Sequence, residues 1–226
     1  MNENINPGPV CHPLRKWHPS IRERAVFLLR HGSIQSDDVA KRFIGQTNLP
    51  LNDCGRRQAH YWRNRFVGET LSGIFCSDLN RCTETARVIA RESSPPITAM
   101  QELREIHLGQ WDGLTFDRVR RRWPDAFRQR GQDIVGFRPP GGESFSDLHQ
   151  RVIPAFEKIV GQTDGNLLVV AHAGVNRVIL CHLLGMPADH LFRISQCPGA
   201  MNIIERRPDG YRVHLVNHPP QEERIG

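Results

Sequence analysis

The chain alternates short apolar runs with longer segments in which apolar residues recur every three or four positions. Val26-Phe27-Leu28-Leu29, Ile74-Phe75-Cys76 and Leu167-Leu168-Val169-Val170 have the length and composition of buried strands. Helical periodicity runs from Asn52 or Gly55 to about Phe66, and from the capping candidates Ser77 and Asp78 through Ala90. It returns from Ser144 to about Val160 and from Val175 to Leu184. Met201 to Glu205 and Tyr211 to Val216, on either side of Pro208-Asp209-Gly210, read as a terminal hairpin. Strands that alternate with helices predict an α/β three-layer sandwich: a mostly parallel central sheet with helices on both faces. One domain is expected over residues 23–218, with residues 1–22 as an N-terminal tail and 219–226 as a C-terminal tail.

Composition narrows this picture. With 226 residues, 38% of them hydrophobic and 24% charged, the chain has the size and apolar content of one medium domain rather than a disordered or fibrous protein. No apolar run approaches the roughly 18 to 20 residues that cross a bilayer. The polar, proline-punctuated first residues lack the core of a secretory signal, so a cytoplasmic protein with no membrane partner is expected. The formal charge is +6, and Lys16, Lys41 and Lys158 are the only lysines among the 30 basic residues. Arginine's planar fork matches phosphate and carboxylate, which suits anionic substrates. The densest run, Arg118 to Arg122, lies among Leu114, Val119, Trp123 and Phe127 at near-helical spacing. That pattern predicts the solvated face of one amphipathic helix, not a nucleic-acid partner. The six cysteines form no CxxC pair and no zinc-type Cys/His spacing, so neither a metal site nor a cofactor is expected. Cys76 also fails as a phosphatase nucleophile, because such a loop needs Arg at the sixth following position, and Arg81 comes one place early.

The candidate chemistry sits at strand ends. Two strand-like runs end in His followed by a small residue, as Arg30-His31-Gly32 and His172-Ala173-Gly174, and a third leads through Ser77-Asp78 to Arg81. Ligands of open α/β sheets bind beyond the carboxyl ends of strands, so His31, His172, Arg30 and Arg81 are expected around one crevice suited to a phosphoryl group. Each residue alone has an ordinary explanation, and Glu105 alone reads as a solvent-exposed acid at the end of a β segment. Their joint occurrence is what points to a site.

With these residues in view, the chain resembles the histidine phosphatase, or phosphoglycerate-mutase-like, superfamily from about Val26 to Glu205. Six motifs in family order carry the likeness: Leu29 to Gly32; Arg42 to Leu51 with Gly55; Ser77 to Arg81 with Thr83 to Ala86; Leu103 to Gly113; Gly141 to Ser144; and Val170 to Gly174. The second motif, with His190 to Ile194 and Met201 to Glu205, is most similar to α-ribazole phosphatases. The resemblance implies a metal-independent phosphomonoester hydrolase. In it His31 becomes the phosphohistidine, Arg30, Arg81 and His172 bind the phosphoryl group, and Glu105 is the general acid and base. A small phosphate monoester, α-ribazole 5′-phosphate, is the implied substrate; the sequence leaves a homodimer open. Many relatives follow the first motif with Glu-Thr and then a phosphate-binding Asn, whereas this chain has Ser33-Ile34-Gln35. Gln35 or Ser33 is the candidate replacement donor, and Gly45 and Gln46 are further candidate substrate contacts. Competing expectations are a broad-specificity sugar-phosphate phosphatase, a phosphoglycerate mutase and a non-catalytic phospho-ligand binding module. The short segment Arg138 to Ser144 and the presence of both His31 and Glu105 favour the phosphatase.

Overall fold

The computed structural model describes Trp17, Ile21 and residues 24–35 and 41–221. The other residues of the expected N-terminal tail, residues 36–40, and the tail's counterpart at 222–226 lie outside the described residues. Trp17 and Ile21 are buried, against Phe27, Trp62 and Phe66 in one of the two core clusters.

The elements in chain order are β1 (Arg24–Arg30), α1 (Asp53–Arg65), β2 (Leu71–Ser77), α2 (Asn80–Ile89), β3 (Ile97–Met100), α3 (Phe116–Arg122) and α4 (Pro124–Gln132). They continue with α5 (Phe145–Gln162), β4 (Asn166–Ala171), α6 (Ala173–Leu183), β5 (Met201–Arg207) and β6 (Gly210–His218). The six strands form one sheet in the order β3-β2-β4-β1-β5-β6. Pairs β1/β4, β2/β4 and β2/β3 are parallel, and β5 is antiparallel to both β1 and β6. The α/β sandwich with a mostly parallel sheet is thus as the alternation of strands and helices predicts.

Both faces of the sheet are covered because side chains alternate along its strands. Val26, Leu28, Leu167 and Val169 point into a core shared with α5 and α6. Ala25, Phe27, Leu29, Leu168 and Val170 point the other way, into a core shared with α1 and α2. All ten of the β1 and β4 positions from Ala25 to Leu29 and Leu167 to Ala171 are almost completely inaccessible. That explains why these runs are continuously apolar rather than alternating.

Local chemistry sets the helix ends. Asn52 caps α1 by accepting from the Gly55 N–H, and Ser144 with Asp147 forms a capping box on α5. Three expectations need correction. Neither Ser77 nor Asp78 caps α2: its N-cap is Leu79, with no side-chain bond. The basic segment is two short helices, not one, because Pro124 disfavours helical backbone at Trp123, which instead sits at φ −135° and ψ 64°. The β segment expected to end at Glu105 stops earlier: strand β3 is only four residues long and lies at the sheet edge with its middle exposed.

Candidate active site

The sheet order brings the chemistry together. Strand β4 lies between β1 and β2 and runs parallel to both, so the carboxyl ends of all three lie side by side. Arg30 pairs in register with Ala171, and the next residue on each strand is a histidine. The His31 and His172 rings are 5.2 Å apart, edge to face. Arg81, the second residue of α2, enters from the end of β2. The tight turn after His31 depends on glycine: a Cβ on Gly32 would lie 2.5 Å from the Gly55 carbonyl oxygen, so the start of α1 packs directly on this backbone.

His31 is 96% inaccessible, and its Nδ1 lies 2.7 Å from the Gly32 carbonyl oxygen. That oxygen can only accept, so Nδ1 carries the proton and Nε2 keeps its lone pair. Burial, reinforced by Arg30 and Arg81, holds the ring's pKa well below the usual histidine value. His172 is fully buried, and burial with the Arg81 charge lowers its pKa likewise. Arg81 Nε donates to His172 Nδ1 at 3.2 Å, which places the His172 proton on Nε2.

Arg81 is held as a fork. Its Nη1 and Nη2 donate to the carbonyls of Thr47 and Gly45 at 2.8 and 2.6 Å. The loop carrying those carbonyls is itself tied by Asp112, whose carboxylate accepts from the N–H groups of Gly45, Gln46 and Thr47 at 2.8, 2.8 and 2.9 Å. With five guanidinium N–H groups and these three engagements, Arg81 retains donors for a ligand. Arg30 donates from Nη1 to the Gln196 carbonyl at 2.5 Å, while its buried Nε has no partner. A charged N–H donor beside the His31 imidazole is suited to an anionic oxygen.

Glu105 is buried and not solvent-exposed, and it follows β3 by a short turn instead of ending a strand. Its Oε1 accepts from the Ile106 N–H at 2.9 Å and its Oε2 from the Gly174 N–H at 3.0 Å, so the carboxyl group is oriented by backbone on both sides. Of the candidate substrate contacts, Gln46 donates its side-chain amide to the Glu105 carbonyl at 3.1 Å. Both backbone polar groups of Gly45 are occupied by Asp112 and Arg81. Gln35 is exposed, and the Ser33 N–H donates to Gln58.

A cavity of about 230 Å³ opens beside Glu105 and Gly174, lined by Phe43, Ile44, Phe192 and the arginines Arg130 and Arg177, among others. Trp111 is fully buried against Phe43, Phe137 and Trp123. Sequence reasoning did not anticipate the roles of Asp112, Gln196, Arg130 and Arg177. Asp112 lay within a quoted motif; the others are single polar residues whose significance comes only from what the fold places next to them. Among the described residues no group of three His, Cys, Asp or Glu side chains could hold a metal ion. Cys76 is buried with its thiol pushed up to about 12, far from thiolate chemistry.

Two buried imidazoles and the guanidinium groups of Arg30 and Arg81, gathered at the carboxyl ends of neighbouring parallel strands, make a cationic cluster whose chemistry suits a phosphoryl group. Residues 26–219 match the model of the histidine phosphatase superfamily, branch 1, and the chain belongs to that family. It is therefore a phosphatase acting on small phosphate esters. A glucosyl-3-phosphoglycerate phosphatase from Mycolicibacterium vanbaalenii is 33% identical over 178 residues, covering 75% of this chain and 78% of that protein. A bifunctional protein of Mycobacterium tuberculosis is also 33% identical over 198 residues, 85% of this chain, and the chain spans about half of it, 53%. The α-ribazole phosphatase structure from Shigella flexneri superposes with a TM-score of 0.79 at 23% identity, over 88% of this chain and 100% of that one; this likeness is one of fold. No helix among the described residues is long and apolar enough to cross a membrane.

Proposed function

We propose that the enzyme hydrolyses its ester through a covalent phosphohistidine on His31. The observation that carries this reading is the bond geometry at His31: Nδ1 is tied to the Gly32 carbonyl, which leaves Nε2 unprotonated in a crevice flanked by Arg30 and Arg81. In the first step Nε2 bonds to phosphorus as the bond from phosphorus to the ester oxygen breaks, and Glu105 delivers its proton to the departing alkoxide. In the second, Glu105 takes a proton from water as the water oxygen bonds to phosphorus and the N–P bond breaks. Arg30, Arg81 and His172 carry the phosphoryl oxygens through both steps. A guanidinium about 4 Å from a phosphoryl charge is worth about 4 kcal/mol at an effective dielectric of about 20. Since arginines provide the positive charge, the chemistry is assigned to side chains alone, without a metal.

The likeness of the Arg42 to Leu51 and His190 to Glu205 segments supports α-ribazole 5′-phosphate as the ester, its flat base meeting Phe43 and Ile44. A second reading, a sugar phosphate or phosphoglycerate, is supported by the 33% identity to a glucosyl-3-phosphoglycerate phosphatase. The test has two parts. Acid quench of enzyme mixed with labelled ester should trap an acid-labile phosphoenzyme that His31→Ala lacks, and a variant with near-normal turnover would refute the mechanism. Catalytic efficiencies on α-ribazole 5′-phosphate, 3-phosphoglycerate, fructose phosphates and nucleoside 5′-monophosphates then rank the esters. A tenfold preference for any of the others removes α-ribazole 5′-phosphate.

A further inference from the structure

The motif from Gly141 to Ser144 supplies no group to the phosphoryl chemistry, yet it is bonded to the segment that carries Glu105. Glu143 forms an ion pair with Arg151 of α5, whose Nε and Nη2 donate to the two carboxylate oxygens at 3.0 and 2.7 Å. Each partner also holds backbone. Arg151 Nη1 donates to the carbonyls of Glu102 and Arg104, at 2.8 and 3.1 Å. Glu143 Oε2 accepts from the His107 N–H at 2.9 Å, and the Glu143 N–H donates to the His107 carbonyl at 2.7 Å. Gly142 permits that approach, since a Cβ there would stand 2.5 Å from the same carbonyl oxygen. Both side chains are largely inaccessible, at 22% and 24% exposure. Burial pushes the Glu143 carboxyl group's pKa up, but the Arg151 fork and the His107 amide outweigh it, so the net direction is down and the pair stays ionised.

Glu105 sits between these contacts. Residues 104–108 belong to no helix or strand, so no ladder of backbone bonds fixes the chain where Glu105 leaves it. The Ile106 and Gly174 amides can orient the carboxyl group only while that backbone keeps its place. Arg104 on one side and His107 on the other are held by the same ion pair, and the Arg104 side chain forks onto Asp78 at 2.7 and 2.6 Å, joining the segment to the end of β2. We propose that the Glu143–Arg151 pair is a positioning device for Glu105, setting the backbone from Arg104 to His107 so that the carboxyl group meets the leaving oxygen. The proposal deepens the phosphohistidine reading and rests on its assignment of Glu105 as acid and base. Its ground is where the bonds go: the two side chains make two bonds to each other and three to the backbone of residues 102–107, the distribution of a brace and not of an isolated ion pair. Four of the five guanidinium N–H groups are engaged, in a planar fork that a lysine ammonium does not reproduce.

The experiment measures kcat/KM of Arg151→Met on glycerol 3-phosphate, an alkyl ester, and on p-nitrophenyl phosphate, whose phenolate leaves without a proton. This ratio reports the first chemical step, in which Glu105 acts as acid. The alkyl ester should lose between about tenfold and a hundredfold, the cost of shifting a reacting group by up to about 1 Å, and the aryl ester about threefold or less. Inhibition by inorganic phosphate should stay within about twofold of wild type, because Arg30 and Arg81 are untouched. Arg151→Lys should recover part of the alkyl rate. In a Glu105→Gln background, Arg151→Met should cost the alkyl ester little more, since the group it positions is already gone. If Arg151→Met fails to fold, Glu143→Gln carries the test: it keeps an acceptor for the His107 N–H, loses the charge, and should show a smaller loss with the same preference. Equal losses on the two esters, or a full further loss in the Glu105→Gln background, would make the pair merely structural and overturn the proposal. Glu105→Gln alone tests the reading beneath it. If that variant affects both esters equally, the assignment of Glu105 falls and the brace with it; if it spares the aryl ester and Arg151→Met does not, only the brace is wrong.

Discussion

Replacing Gly174 by alanine should disable Glu105 without unfolding the protein. Gly174 is the second residue of α6 and does not require a left-handed conformation, so alanine suits its backbone. The difficulty is spatial: the added Cβ would stand 2.4 Å from Glu105 Oε1 and 3.2 Å from its Cδ. Ordinary contact begins near 3.4 Å, so the carboxyl group must retreat by about 1 Å. Only the end of a side chain has to move, and the helix gains a residue of better propensity, so stability should change by about 1 kcal/mol or less. Catalysis should not be so tolerant. Misplacing a reacting group by about 1 Å can cost roughly a hundredfold, or about 2.7 kcal/mol of barrier, within the range of about 10²- to 10⁴-fold contributed by a general acid. The loss should depend on the leaving group: near a hundredfold in kcat for an alkyl phosphate, and severalfold for p-nitrophenyl phosphate, whose phenolate departs without a proton. Glu105→Gln should show the same dependence, and the double variant should be little worse than Glu105→Gln alone, because both changes remove one function. Steady-state kinetics on the two substrates, with a melting curve for each variant, would decide the matter. Equal losses on both substrates, or an alkyl phosphatase rate within threefold of wild type, would refute the assignment of Glu105 as the acid.

Other consequences follow from the same geometry. Because burial, Arg30 and Arg81 lower the His31 pKa, NMR titration should show no His31 protonation near pH 6.5, and Arg30→Gln should move its midpoint upward; a wild-type midpoint near 6.5 would overturn the electrostatic reading. The unfolded chain binds protons at those histidines near pH 6.5 and the folded chain does not, so stability should be full above that pH and decline as pH falls toward the lowered values of His31 and His172. Asp112→Ala should free three loop N–H groups and let Arg81 lose its orientation, weakening competitive inhibition by inorganic phosphate by roughly tenfold; unchanged inhibition would show that the loop does not hold Arg81. Activity should persist in excess chelator, and a loss reversed by adding back a divalent ion would contradict a site charged by arginine.

What the sequence determined alone was whatever local pattern and short motifs encode. Continuous apolar runs at Val26 to Leu29 and Leu167 to Val170 marked strands buried on both faces, and the polar residues immediately after them marked the crevice, because parallel strands end where a buried run gives way. His31, Arg81, Glu105 and His172 were legible as a set through their motifs, and the structure brings them to neighbouring strand and helix ends. Their environment was not legible. Glu105 looks like an ordinary surface acid until the Gly174 and Ile106 amides are found on its two oxygens. Asp112 acts on Arg81 through carbonyls more than sixty positions away from it in the chain. The bounds of strand β3 were not legible because an edge strand of four residues buries too little to impose a pattern, nor was the break at Trp123, because one proline outweighed a helical periodicity that continued past it. The tertiary structure also decided which side of Glu105 faces a cavity and which arginines line it. Helices α4 and α6 line one cavity although α5 and β4 separate them in the chain, and no spacing along the sequence records a contact of that kind.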